Sequence, residues 1–346
     1  MKTNYIPILK WKKGEQVALS NLSATHKQSI TPLVELTDLI EPHDFISTLQ
    51  SCYDLPIYLD TDIASEDDSD YLVSILEESF KSDTVIYPVI HYNNIDIIDS
   101  LPETSIVAIK IGVPEEIDGP SFDDIFDSIK YLKSNKPSLN MDIILDLGLI
   151  LNNSEANSQY RDVKNLLKDY FIGKNFFNSI IICATSFPEN LSKVEAGEKI
   201  LFKRFDYLIY KKILSNFQML NKFFKYSDYG VTKFTDSDID FSMMKYGILP
   251  KLKYTFEESY LLWKGKRKKL SKELEISYYD LAEELLNSKY YYGKSFSFGD
   301  LDIHERYEKA KKKGTKKCGN GTTWVAISAN HHIAVVIEQL SKLFSV

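Results

Sequence analysis

The sequence predicts an α/β protein: a TIM-like (β/α)8 barrel with a C-terminal helical and β-hairpin extension packed on it. Three observations carry that expectation. Seven short runs rich in Ile, Val, Leu and Tyr fall at residues 5–9, 30–36, 56–60, 85–91, 106–111, 142–147 and 180–185. Near-continuous apolar runs of this length suit strands buried on both faces of a parallel sheet. Their starts lie about 20 to 40 residues apart, which leaves room for one crossover helix each. Amphipathic helical patterns occupy the gaps, as at 68–80, where Tyr71, Leu72, Ile75, Leu76 and Phe80 share a stripe, and again at 122–132 and 160–171.

An eighth strand is expected at 226–231, after a long aromatic helix at 200–224. The competing architecture, an open doubly wound sheet, usually carries a Gly-rich turn after its first strand. Here the first run leads into Lys10-Trp11-Lys12-Lys13-Gly14, and neither GxGxxG nor GxxxxGK[ST] occurs anywhere. Residues 1–240 are therefore expected to close into the barrel, with 241–346 as an extension covering it. In that extension the pattern gives two strands at 248–254 and 259–263 and helices at 278–287 and 303–312. A last helix at 323–344 carries an apolar stripe of Ile333, Val336, Ile337, Leu340 and Phe344.

Composition narrows the class of protein. At 44% hydrophobic and 26% charged, the chain is globular rather than disordered. Its three cysteines, Cys52, Cys183 and Cys318, show no metal or disulfide spacing, which suits a reducing compartment. With no apolar run long enough for a signal peptide or a span, a cytoplasmic location is expected and a membrane partner is not. The net charge of −7 is uneven: residues 251–320 hold 17 basic against 11 acidic residues, and the remainder 25 against 38. The basic charge concentrates from Lys264 to Lys269 and from Lys309 to Lys317. Both runs read first as solvated surface. Nucleic acid is a second reading, with Tyr278, Tyr279 and Tyr290 to Tyr292 as stacking faces, and the overall acidity counts against tight binding.

In a barrel the chemistry sits at the C-terminal ends of the strands. Those ends carry Lys10, Glu35, Asp60 with Asp62, His91, Lys110, Asp146, Ser186 and Asp228. Three chemistries fit. Glu35, Asp60, Asp62 and Asp146 could hold a hard divalent metal, with His91 added for a softer one. Lys10 and Lys110 could grip a phosphate as point charges. Lys110 could also be a Schiff-base nucleophile, provided its pocket depresses its pKa. Polar residues also end strands simply because loops begin there, but repetition at nearly every strand weighs against that account alone. The catalytic candidates are Lys10, Glu35, Asp60, Lys110, Asp146, Asp228 and His331. The ligand-binding candidates are Trp11, His91, Ser186, Arg204, Tyr229, Asp300, Asn330 and His332. His331 and His332, adjacent on a helix, diverge by about 100° and cannot chelate one ion together. Asp300 reads as a helix cap.

The opening Tyr5-Ile6-Pro7-Ile8-Leu9-Lys10-Trp11-Lys12, with Gly14-Glu15 and Ala18-Leu19, resembles that of the beta protein family, named after a protein of a satellite coliphage. Further segments resemble it in order: Ile30-Thr31-Pro32-Leu33-Val34-Glu35, Asp146-Leu147-Gly148, Ser186-Phe187-Pro188, Arg204-Phe205-Asp206, Asp228-Tyr229-Gly230, Tyr292-Gly293, Ser297-Phe298-Gly299-Asp300, Trp324 and Asn330-His331-His332-Ile333. Together they span nearly the whole chain. The family commonly has Arg where this chain has Lys110 and Lys253, which weakens any bidentate anion grip there. The resemblance implies an association with phage and mobile-element loci and antiphage defence, including a toxic partner whose killing such proteins suppress. It implies no settled enzymatic activity. Three functions stay open: a defence or toxin-control component binding a ligand or partner at the barrel mouth, a metal-assisted phosphodiesterase or nuclease, and a purely structural interaction module.

Overall fold

A computed structural model describes residues 4–65, 69–102, 106–116, 119–189, 191, 194–232, 248–269, 271 and 273–344. The chain forms two compact units that are not consecutive halves. The first comprises Met1–Trp11, Lys27–Ser186 and Phe205–Tyr229; the second comprises Lys12–His26, Phe187–Arg204 and Gly230–Val346. The boundary expected near residue 240 lies outside the described residues.

The first unit is a closed, all-parallel, eight-stranded barrel. Its strands are β1 (Tyr5–Lys10), β2 (Leu33–Glu35), β3 (Ile57–Asp60), β4 (Ile86–His91), β5 (Ile106–Gly112), β6 (Asn140–Leu149) and β7 (Ser179–Thr185). The next strand in the chain, β8 (Lys199–Lys203), belongs to the second unit, and β9 (Phe224–Asp228) pairs with both β7 and β1 to close the barrel. Every residue of β1, β2, β3 and β7 is buried, as the apolar runs required. Register sets the polar strand ends side by side: Lys10 opposite Glu35, Glu35 opposite Asp60, His91 opposite Lys110, and Asp146 opposite Cys183.

The crossover helices follow their apolar stripes. Ser69–Lys81 buries Leu72, Ile75 and Leu76, although Phe80, in its last turn, is exposed. Phe122–Asn135 begins with a capping box in which Ser121 and Asp124 bond reciprocally. At the opposite end of the strands from the polar tips, Tyr58 and Ser179 hydroxyls donate to the buried carboxylate of Asp142, and Lys225 Nζ lies 3.4 Å from it. Such a plug at the N-terminal face serves stability.

Residues 200–224 depart from the single long helix expected there. Lys199–Lys203 is a strand, and the helix begins at Phe205 and ends at Asn216. The physical reason is a period of two: Ile200 and Phe202 turn to the cluster of Phe187, Leu191, Val194, Val231, Tyr260 and Leu262, while Lys199, Leu201 and Lys203 face outward.

In the second unit β8 joins an antiparallel sheet with β10 (Lys251–Phe256) and β11 (Ser259–Lys264), in the order β10-β11-β8. The last two form the expected hairpin. Helices Tyr278–Leu286, Phe298–Lys312 and Gly321–Phe344 complete it, burying Leu252, Leu281, Leu285, Ile303, Trp324 and Ile327 together. The indole of Trp324 stacks on Tyr278 at 5.0 Å. Gly299 permits the last helix to approach closely: a Cβ there would stand 2.4 Å from the Ile327 carbonyl oxygen. A backbone oxygen cannot swing aside, so Gly299→Ala is expected to destabilise the second unit by about 3 kcal/mol. Gly321→Ala, with nothing within 4 Å of the new methyl, is the control. Urea unfolding followed by tryptophan fluorescence checks both, since Trp263 and Trp324 report on this unit.

Candidate functional site

The barrel gathers the strand-end residues around one ammonium. Lys110 Nζ lies 3.2 Å from Asp60 Oδ2, 3.6 Å from Glu35 Oε1 and 3.7 Å from Asp146 Oδ2. Two backbone turns aim the aspartates. Asp60 Oδ1 accepts from the Asp62 N–H at 3.1 Å, and Asp146 Oδ1 accepts from the Gly148 N–H at 3.0 Å. The second turn needs a glycine, because residue 148 has φ of +64°. His91 Nε2 donates to Asp60 Oδ2 at 3.0 Å while its Nδ1 lies 3.7 Å from Asp62. Tyr229 Oη donates to Asp146 Oδ2 at 2.7 Å.

The protonation states follow from this enclosure. Burial works to lower the Lys110 pKa, but Asp60, Asp146 and Glu35 outweigh it and hold the ammonium above its ordinary value. Burial pushes Glu35 up to about 7 against the pull of Lys110, with Asp60 adding to the rise. For Asp60 burial acts upward, yet Lys110 and His91 prevail and keep it ionised well below the usual carboxylate range. His91 is itself raised: burial opposes its charge, and Asp60 more than compensates. Burial and Asp146 together raise the Tyr229 phenol and the Cys183 thiol, so each stays protonated. The site thus sets one carboxyl, Glu35, near neutrality beside another, Asp60, held charged, a division that suits acid–base work.

Two sequence-based chemistries change in this light. Three of the carboxylates assigned to a divalent metal, Glu35, Asp60 and Asp146, converge on the Lys110 ammonium, and among the described residues no group of three or more His, Cys, Asp or Glu side chains is placed to hold an ion. The Schiff-base reading required a depressed Lys110 pKa, and the shift runs the other way.

The remaining candidates divide by unit. In the barrel, Lys10 is buried in register with Glu35, and Asp228 accepts from Tyr5 Oη at 2.9 Å. Ser186 Oγ accepts from the Asp206 N–H, anchoring a helix start, and the Trp11 ring meets Phe45 edge-on at 5.2 Å. Arg204, Asp300, Asn330, His331 and His332 belong to the second unit. There Arg204 donates to Gln339 at 2.8 Å, and Asn330 joins the Gly299 N–H to the Ala18 carbonyl. His332 Nδ1 meets Thr255 Oγ1 at 2.7 Å, and His331 bridges Asp300 and the Thr255 carbonyl at 2.8 Å each. The helix cap is Ser297, whose hydroxyl accepts from the Asp300 N–H; Asp300 is the third residue of that helix, not its cap. Lys253 donates to the Val231 carbonyl at 2.6 Å. Cys183 and the Asp142 plug were missed, because a buried Cys or Asp inside an apolar run gives no spacing signal.

The basic runs are partly neutralised internally. Lys264 donates to the Leu191 and Val194 carbonyls, while Lys266, Lys268 and Lys316 pair with Glu275, Glu273 and Asp280. Among the described residues no helix is long and apolar enough to cross a membrane.

Fold and site define a class: a closed parallel barrel carrying a buried ion cluster at the C-terminal ends of its strands. Within it, the chain belongs to the Beta protein family, whose sequence profile matches residues 5–338. No curated protein matches the chain. Among solved structures it is similar to the biosynthetic arginine decarboxylase SpeA from Campylobacter jejuni, at 13% identity and a TM-score of 0.43. That similarity covers 97% of this chain and 56% of the decarboxylase, so the chain spans about half of its relative's length.

Proposed function

We propose that this Beta protein family member is a regulatory or sensing component in conflict with phages and mobile elements, with a small ligand bound at the barrel mouth. The observation that carries the ligand site is the buried cluster of Lys110, Glu35, Asp60 and Asp146, a costly concentration of charge that loop beginnings alone do not require. The biological setting comes from the family, as does a toxic partner for the protein to control. A metal-assisted phosphodiesterase is the weaker reading, since Lys110 takes the cation's place and three carboxylates would face the phosphate.

The rim gives the cleanest test. His91 and Asp62 side chains are 31% and 36% exposed, so His91→Leu with Asp62→Asn should leave the protein folded. Phage plating, and growth on co-expression with the toxin of the locus, are the readouts. Protection should fall at least about tenfold, as expected when the groups that hold Asp60, and through it the charge balance of the ligand site, are lost. Full protection at the same level of folded protein would favour the structural-module alternative.

A further inference from the structure

Hydrogen-bond accounting at the mouth narrows the ligand. Asp60 is occupied at both oxygens, by the Asp62 N–H on one side and by His91 and Lys110 on the other. Asp146 is likewise occupied by the Gly148 N–H and the Tyr229 hydroxyl. Glu35 differs. Its Oε1 faces Lys110 at 3.6 Å, while its Oε2 is buried and, among the described residues, accepts no hydrogen bond. A buried acceptor left in this state is costly and calls for a donor from outside the protein. We infer that the mouth takes an uncharged ligand through a single hydroxyl group, donated to Glu35 Oε2.

Charge and valence select that class. An anion would enter among Glu35, Asp60 and Asp146; of the two ammonium groups that could draw it, Lys110 is answered by all three carboxylates and Lys10 faces Glu35. An ammonium presents three donors and needs about as many acceptors, whereas, among the described residues, Glu35 Oε2 is the buried oxygen of these three carboxylates that lacks a hydrogen bond. A neutral hydroxyl supplies one donor and adds no charge. The groups facing Glu35 are Lys10, Asp60, Lys110 and Asp146, with Cys183 and Tyr229 also within its field; His91 and Asp62 act through Asp60. Because burial raises Glu35 to about 7, the ionised, accepting form grows as pH rises through that value. Binding should strengthen in the same direction.

The inference rests on the ligand-binding reading above, and its test is independent of biological effect. Glycerol serves as the neutral probe, with methyl phosphate and ethylammonium as anionic and cationic counterparts. Saturation-transfer NMR on the full chain is run about one pH unit on either side of 7. Glycerol should receive the strongest transfer, several-fold more at the higher pH. Glu35→Gln should abolish the pH dependence, while Asp127→Asn, at a 77% exposed site, should keep it. Stronger transfer to methyl phosphate or ethylammonium, silence from glycerol at both pH values, or an unchanged pH dependence in Glu35→Gln would each overturn the hydroxyl class. If glycerol is silent while the His91→Leu, Asp62→Asn variant loses protection, the ligand site stands and only the hydroxyl class falls. The reverse pair of results removes the biological reading and leaves the hydroxyl site.

Discussion

Lys110→Met is expected to cost the first unit about 3–5 kcal/mol at neutral pH, the usual penalty for deleting one partner of a buried ion cluster. The loss is large because three carboxylates, each no more than 10% exposed at the side chain, share that one ammonium. Its pH dependence follows from two opposite shifts. Glu35 is an acid raised from 4.5 to about 7, so its contribution is full below 4.5 and is lost as pH rises through 7. In the wild-type protein that loss amounts to about 3 kcal/mol. Asp60 is lowered, so its contribution is full above its ordinary value of 3.8 and is lost only as pH falls through its depressed folded-state value. Without Lys110 both carboxyls hold protons more tightly. The deficit of the variant should therefore be greatest above pH 7 and narrow as Glu35 and then Asp60 become protonated. Adding Glu35→Gln to Lys110→Met should restore about 1–2 kcal/mol, since it removes one of the uncompensated charges. Urea unfolding by far-ultraviolet circular dichroism across pH measures all of this. A single variant as stable as wild type at alkaline pH would show that Lys110 does not hold the cluster together.

The barrel was legible because its strands are buried on both faces, so that runs such as Ile180-Ile181-Ile182 stand out against amphipathic helices. Register then did what spacing could not. Lys10, Glu35 and Asp60 are about 25 residues apart in sequence and adjacent in the sheet. The strand-end rule found Lys110 and its three carboxylates, yet it could not say which would be satisfied by one another. That depends on turns such as the one Gly148 makes, and on rotamers that reach across the barrel. The same gap left a divalent metal open at carboxylates that converge on the protein's own lysine. Lys199–Lys203 was read as helix because five residues are too few to separate a period of two from the aromatic run that follows. The histidine pair was recognised as unable to chelate one ion, but its partners lie 31 and 76 residues away and leave no local trace.

Those partners make Asp300 the most exposed weakness of the second unit. Its side chain is fully buried and meets three groups: Tyr254 Oη at Oδ1, and Ser297 Oγ with His331 Nδ1 at Oδ2. His331 Nε2 faces the Thr255 carbonyl, which can only accept, so Nε2 carries a hydrogen, while Nδ1 meets Asp300 Oδ2 at 2.8 Å. The imidazole also stacks on Tyr254 at 3.7 Å, which fixes the ring in place. Asp300→Ala strands the buried Tyr254 and His331 together with the half-buried Ser297 and should cost about 3–5 kcal/mol. Asp300→Asn keeps the volume and one acceptor, and should lose roughly half as much. His331→Leu removes a partner that Asp300 needs and should fall between the two, whereas Asp300→Leu with His331→Leu should recover part of the loss by making both positions apolar. Tryptophan fluorescence during urea unfolding reads this order through Trp263 and Trp324. Equal losses for Asp300→Ala and Asp300→Asn would mean that volume, not hydrogen bonding, holds these helices and β10 together.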